Sequence, residues 1–253
     1  MRTAAKHIVF YLALIALWAT VAKLRIWPPY LFPSPASVLE SLLAGFSERS
    51  FWIGIAVSMR RIAIGYGIAV ALGLLLGLLI ASSKFLQETL GGLLVSLQSL
   101  PSVCWLPLAI LWFGLSEKAI LFVIVMGSLL SITLSLEAGR KQIPKIYAMA
   151  GRNLGASGVR LLLFVLLPAS IPMLLAGLKQ GWAFAWRSLI QGEMMFISLG
   201  LGQLLIMARD LNDISQVIAV MIVIVALGYL IDRLVFETFE RRLQEKWGLG
   251  MAA

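Results

Sequence analysis

The sequence predicts an all-α polytopic membrane protein with six transmembrane helices, an elbow helix on the outer surface and a short cytoplasmic helix between the fourth and fifth spans. Three observations carry that expectation. Sixty per cent of the 253 residues are hydrophobic, only 13 % are charged, and mean hydropathy is +0.95, a composition foreign to ordinary soluble domains. Apolar runs long enough to cross a bilayer recur along the chain. The cations behind the net charge of +9 gather at the ends of those runs, as the positive-inside rule requires, rather than on a basic face for nucleic acid. The whole chain, 1–253, reads as a single transmembrane domain: an N-terminal span 8–27, core spans over about 51–236, a central segment 137–167 and a cytoplasmic tail 237–253.

Arg2, Lys6 and His7 precede an apolar run from Ile8 to Ala22 that Lys23 and Arg25 close. It reads as an uncleaved first span extended through Leu24 to Trp27, although a basic start and small residues also fit a signal peptide. The Pro-rich stretch from Trp27 to Pro35 is not helical throughout. Ser34 then caps a helix that Pro35 starts, with Val38, Leu39, Leu42, Leu43 and Phe46 on one stripe, an elbow lying flat on the outer surface. Phe51 to Ala81 is a long helix; with Arg60 and Arg61 near its start, its outer third belongs in headgroups and Ile62 to Ala81 spans. Gly65, Ala69, Gly73, Gly77 and Ala81 recur every fourth residue, a spacing that lets another helix pack closely.

A short turn with Lys84 and Glu88 leads to a third span, Leu90 to about Phe113, interrupted by Pro101 and Pro107. Broken helices at membrane depth are tolerated beside protein or water, and transporters use them beside their pathway. The stretch Pro101 to Pro107, with Pro101, Trp105 and Pro107 as its candidate residues, is thus placed near a translocation path, the other reading being a kinked packing helix. After an outer turn at Ser116 to Lys118, Ala119 to Leu136 forms the fourth span. The central segment gathers Arg140, Lys141, Lys145, Arg152 and Arg160. Within it Pro144 suits a first helical turn and Gly155 the residue after the last, and Ile143, Tyr147, Ala150 and Leu154 fall on one side. A basic loop against anionic headgroups is the alternative. Ser157 caps a second helix ending at Pro168 and again at Pro172.

The fifth span, about Met173 to Phe196, holds Lys179, Arg187 and Glu193. Each charge costs about 2.5–3.5 kcal/mol at such depth, so each is expected to face protein or water. Arg187 and Glu193 are six residues apart, on different faces. Arg187 is a candidate for attracting an anion through a cavity, and Glu193 joins it as a pathway candidate; the alternative is that both pair with neighbouring helices. Ser198 to Asn212 reads as an outer loop or re-entrant segment, and Asp213 with Gln216 as a capping box opening the sixth span, Ile214 to Phe236. With both termini cytoplasmic, eleven basic residues fall inside against seven outside.

The central segment resembles the EAA loop of permease subunits of binding-protein-dependent ABC importers, whose pattern is E-A-A, three residues, G, nine residues, I-x-L-P. Here it falls on Met149, Ala150, Gly151, then Gly155, then Val165, Leu167 and Pro168, with every gap at full length. Met149 stands where the family has Glu, and Gly151 where it has Ala, which alters any charged contact but keeps the spacing. The phrases from Leu31 to Val38, Leu100 to Leu115 and Asn153 to Ser157 are similar to the branch that imports nitrate, sulfonates, taurine or bicarbonate. The resemblance covers nearly the whole chain.

That resemblance implies a bacterial inner-membrane permease with Met149, Ala150, Gly151, Arg152, Leu154 and Gly155 coupling it to separate ATPase subunits. It implies two ATP-binding cassette subunits carrying ATP and Mg²⁺, a second permease copy in a homodimer, and a substrate-binding protein outside. The chain itself has no G-xxxx-G-K-[ST] loop for ATP. With one His (His7) and one Cys (Cys104), no metal cluster, disulfide or His-based triad is expected, hence no catalytic residue and no cofactor of its own. An intramembrane enzyme would need a motif such as H-E-xx-H, and an ion-driven carrier would be expected to show inverted repeats. A scaffold protein would not explain the central segment. An importer of another small solute, such as a vitamin precursor, remains the nearest alternative.

Overall fold

The structure, a computed structural model, describes residues 2–196 and 198–247, without the side chains of residues 2–5, 140, 141, 159, 244, 246 and 247. The side chains of Arg2, Arg140, Lys141 and Lys246, counted above among the inner cations, and the tail beyond residue 247 lie outside that description.

All regular elements among the described residues are helical. In order they are α1 (Arg2–Lys23), α2 (Pro35–Ser47), α3 (Arg49–Ser82), α4 (Lys84–Gln98), a 3₁₀ turn Ser102–Trp105 and α5 (Leu106–Phe113). Then come α6 (Glu117–Gln142), α7 (Lys145–Asn153), α8 (Gly158–Leu161), a π-helical turn Leu162–Leu166 and α9 (Leu167–Met195). The chain continues with α10 (Leu201–Asp210), α11 (Ile214–Ile231), a second π-helical turn Asp232–Glu237 and α12 (Thr238–Trp247).

Among the described residues, five helices are long and apolar enough to cross a membrane: Lys6–Lys23, Arg49–Ser82, Glu117–Gly139, Leu162–Met195 and Ile214–Leu243. The expected third span is instead two helices, Lys84–Gln98 and Ser102–Phe113, bent by 101°, so a sixth crossing exists only if that pair is one broken span. Pro101 makes the break, since it lacks an N–H and bars Leu100 from the α region. Pro107 makes none, because it sits in the first turn of α5, where its missing N–H has no partner to lose.

Other boundaries differ from the expectation for equally local reasons. The first span stops at Lys23 rather than Trp27, and Arg25 turns to φ 51°. Ser83 caps α4 directly, leaving no separate turn at Lys84 to Glu88. Helix α6 runs on to Gln142, so Glu137 to Gln142 are helical. Pro168 and Pro172 do not end a helix: Pro172 lies inside α9, and the widened turn Leu162–Leu166 lies where the ring of Pro168 would otherwise meet the carbonyl four residues back. Ser198 to Asn212, expected as a loop or re-entrant segment, contains the ten-residue α10.

The chain divides into two compact units, Met1–Ser58 with Glu193–Leu227, and Met59–Gly192 with Gly228–Ala253. In the first, Ser34 accepts a hydrogen bond from Ser37 N at 3.2 Å and caps the elbow helix α2, while Trp18 Nε1 donates to Pro33 O at 3.0 Å. Phe46 stacks edge-on with Phe51, ring centroids 5.3 Å apart. Asp213 Oδ1 accepts from Gln216 N at 3.0 Å and caps α11.

In the second unit, the small-residue stripe of α3 lies against α6. A Cβ at Gly65, Gly73 or Gly77 would meet Ile124, Ile132 or Leu136 within 2.7–3.0 Å. Ala69 is fully buried in a core with Leu129, Leu130 and Ile132, and Thr133 Oγ1 donates to Gly73 O at 3.2 Å. Contact this close substitutes for the hydrophobic push that lipid does not supply. Tyr66, Trp182, Trp186 and Phe236 form an aromatic cluster, with Tyr66 Oη donating to Leu178 O at 2.8 Å. Arg61, near the start of α3, is buried; its Nε lies 3.3 Å from Glu117, which Arg60 also binds.

Candidate functional site

Two features of the second unit bear on function. The first is α7. Its end is fixed by backbone geometry: Gly155 takes φ +83°, its N–H donates to Arg152 O at 2.9 Å, and Ala156 N donates to Gly151 O at 2.9 Å. This is a Schellman motif, and the left-handed residue it needs is glycine or, less often, asparagine, because most other side chains are strained there. Gly151 is buried, and a Cβ there would stand 2.6 Å from Leu161 Cδ1 and 3.0 Å from Val165 Cγ2. The close approach Gly151 permits is thus to the chain's own α8 and π turn.

The opposite side of α7 is open. Tyr147, Ala150 and Leu154, three of the four residues expected on one stripe, are exposed, and so are Ile146, Met149 and Arg152; Leu154 reaches 89 % exposure. Ile143 is half-buried, just before the helix. The result is a nine-residue rod, held by glycine contact on one side and offering apolar groups flanked by Lys145 and Arg152 on the other. Such a surface suits docking into a protein groove.

The second feature is a cavity of about 270 Å³ where the 101° bend meets α6 and α9. It brings together Pro101, Trp105 and Arg187, predicted separately from two distant stretches. It adds Ser102, from inside the expected Pro101 to Pro107 stretch, and Gln98 and Gln191, which sequence reasoning missed. Ser102 Oγ donates to Gln191 Oε1 at 2.8 Å, and Arg187 lies 5.9 Å from the Phe184 ring centroid. Gln191 had a legible signal, being one turn beyond Arg187 on the same face of an apolar helix. Pro107 is not among the lining residues.

Glu193 does something else. It lies in the first unit at 0 % exposure, where Ser58 Oγ stands 2.7 and 2.8 Å from its two carboxylate oxygens and Gly202 N donates to it at 3.0 Å. Leu201 N donates in turn to Ser58 Oγ at 2.8 Å. Two otherwise orphaned N–H groups at the start of α10 thereby balance a buried carboxylate, directly and through a hydroxyl. A Cβ at Gly200 would fall 2.5 Å from Glu193 Cδ, so the carboxylate reaches the helix only past glycine. Enclosed in this way, Glu193 is buried and tied to the start of α10. Lys179 is partnered as well, 3.4 Å from Asp232 and 3.9 Å from Glu240.

Known proteins share both the sequence and the fold. The family described as binding-protein-dependent transport system inner membrane component matches residues 69–245. The taurine transport system permease protein TauC of Escherichia coli (strain K12) is 30 % identical over 235 residues, covering 91 % of this chain and 85 % of that protein. A nitrate import permease protein, NrtB of Synechocystis sp., is 30 % identical over 212 residues, covering 80 % and 77 %. Among solved structures, an inward-facing MetNI methionine ABC transporter superposes with a TM-score of 0.66 at 20 % identity, over 77 % of this chain and 98 % of that one. Since the family match spans most of the helical core and the relatives align along nearly the full length, the chain belongs to the inner-membrane permease components of binding-protein-dependent ABC transport systems.

Proposed function

We propose that this chain forms the membrane pathway of an ATP-driven importer of a small anion, drawn from the sulfonate, taurine, nitrate and bicarbonate class that its relatives' names describe. The observation that carries the proposal is the exposed apolar side of α7, anchored to the chain through Gly151 and ended by Gly155. ATP and Mg²⁺ belong to two partner ATPase subunits, each receiving α7 of one permease in a groove. Two copies of the chain pair beneath an extracytoplasmic binding protein, with both termini cytoplasmic. Closure of the ATPases on nucleotide shifts α7 as a rigid lever, and the attached helices α6 and α9 move with it between inward- and outward-facing populations. Met149 replaces a charged contact by an apolar one in that groove. The cavity at Arg187 lies on the path.

The test is co-purification and transport. The chain, expressed with its ATPase and binding-protein partners and reconstituted in vesicles, is expected to drive ATP-dependent anion uptake. Ile146→Asp with Met149→Asp is expected to abolish co-purification of the ATPase, since two charges would enter an apolar groove. Full uptake by that double variant would refute the docking role of α7.

A further inference from the structure

The charges in the spanning helices are not treated alike. Arg61 meets Glu117, Lys179 meets Asp232 and Glu240, and Glu193 meets Ser58 and Gly202 N. Arg187 has no carboxylate within ion-pair distance among the described residues; only the Phe184 ring faces its guanidinium. Arg187 is exposed, and a cation in an apolar spanning helix without a protein counter-ion is offset by water or by a bound anion. Around it the cavity is biased toward donors. The Ser102 hydroxyl occupies the Gln191 carbonyl oxygen, which leaves the Gln191 amide N–H groups to donate. Among the described residues no acidic side chain lines the cavity, and the rest of the wall includes Trp105, Phe184, Met126 and Leu100.

We propose that this cavity is a selective site for a small organic monoanion with an oxyanion head and an apolar tail, of which a short alkanesulfonate is the type. Arg187 and the Gln191 amide hold the head by charge-assisted hydrogen bonds. Trp105 and Phe184 enclose the tail. A ligand that also carries an ammonium group finds no carboxylate among the described lining residues and sets that charge against the apolar wall. A bare inorganic anion leaves the apolar wall unused. The 270 Å³ volume holds about nine waters at ~30 Å³ each, room for a head and a few methylenes. The proposal rests on the importer reading and narrows its substrate.

The test is calorimetric titration of the assembled permease–ATPase complex in lipid nanodiscs, without binding protein. The probes are methanesulfonate, ethanesulfonate, butanesulfonate, 2-aminoethanesulfonate and nitrate. Affinity is expected to rise about fourfold per added methylene until the cavity fills. Ethanesulfonate is expected to bind at least tenfold more tightly than 2-aminoethanesulfonate, from which it differs only by the amino group. Arg187→Gln should remove binding, Arg187→Lys should keep it within about tenfold because the point charge survives, and Trp105→Ala should flatten the chain-length dependence while methanesulfonate still binds. Equal affinity for ethanesulfonate and its amino derivative, or unchanged binding in Arg187→Gln, overturns the site. If ATP-driven uptake works but no alkanesulfonate binds the permease, this inference falls and the importer reading stands. If no ATPase assembles with the chain, the importer reading falls.

Discussion

Four single alanine substitutions on α3 measure how much of the fold depends on close approach of α3 and α6. At Gly67 a Cβ would meet nothing within 4 Å. Gly67→Ala therefore gains only the helix-propensity difference, about 1 kcal/mol. At Gly65 the new methyl would stand 2.7 Å from Ile124 Cγ2 and 3.0 Å from its Cβ, and at Gly73 it would stand 3.0 Å from both Ile132 Cβ and Cγ2 and 3.2 Å from Leu129 O. These neighbours are stiff, being β-branched side chains or backbone. Overpacking of this kind costs about 1–3 kcal/mol, which cancels or exceeds the propensity gain. At Gly77 the first atom met, at 2.8 Å, is the far end of Leu136, which can rotate, although its Cβ at 3.1 Å cannot. The expected order of stability is Gly67→Ala, then Gly77→Ala, then Gly65→Ala and Gly73→Ala. At about 2–4 °C per kcal/mol for a chain of this size, the ends of the series should differ by on the order of 5 °C. Tryptophan-fluorescence melting of the detergent-purified permease reads this directly. Four melting temperatures within a degree, or Gly67→Ala lowest, would refute the packing seam.

Glu193→Gln keeps the shape of the buried anchor but presents an amide to donors, and a loss of about 1–3 kcal/mol is expected; Glu193→Leu, which leaves Gly202 N–H and the Ser58 hydroxyl unsatisfied, should cost more, and faster amide exchange at the start of α10 is the measurement. Arg61→Ala should destabilise by about 1–3 kcal/mol through the buried packing and hydrogen bonding it loses, while the Glu117 left behind is 44 % exposed and keeps Arg60. Arg60→Ala, at an exposed side chain on the same Glu117, should cost below about 1 kcal/mol; equal melting shifts would contradict this. Gly155→Val should fray the end of α7, because a β-branched residue resists φ +83°, whereas Gly155→Asn should be tolerated; ions moved per ATP hydrolysed should fall for the first and hold for the second.

Much of the fold was legible because its causes are local. Ser34 before Pro35, Asp213 before Ile214 and Gly155 after α7 are caps whose chemistry depends on two or three neighbouring residues. The apolar runs announced their helices because span length is set by the bilayer, not by partners. Prolines were a weaker guide. Pro101 breaks the chain, Pro107 opens a helix, and Pro168 and Pro172 are absorbed, the first beside a π-helical turn. Which outcome a proline produces depends on whether the preceding turn can widen, and that is decided by what packs around it.

The sequence by itself determined the fold class, the helix-forming segments and the placing of a short capped helix within the cation-rich central segment, since hydropathy, proline geometry and glycine's φ range act over a few residues. It also put Lys179, Arg187 and Glu193 on one helix without saying what any of them meets. Only the tertiary structure decided that Glu193 is satisfied by Ser58, 135 residues away, that Lys179 finds Asp232, and that Arg187 lines one cavity with Gln191 and Trp105 and with no carboxylate among the described residues. A charge in an apolar helix must be compensated somewhere, but its compensation comes from other helices, and their positions are a property of packing rather than of any one stretch of chain.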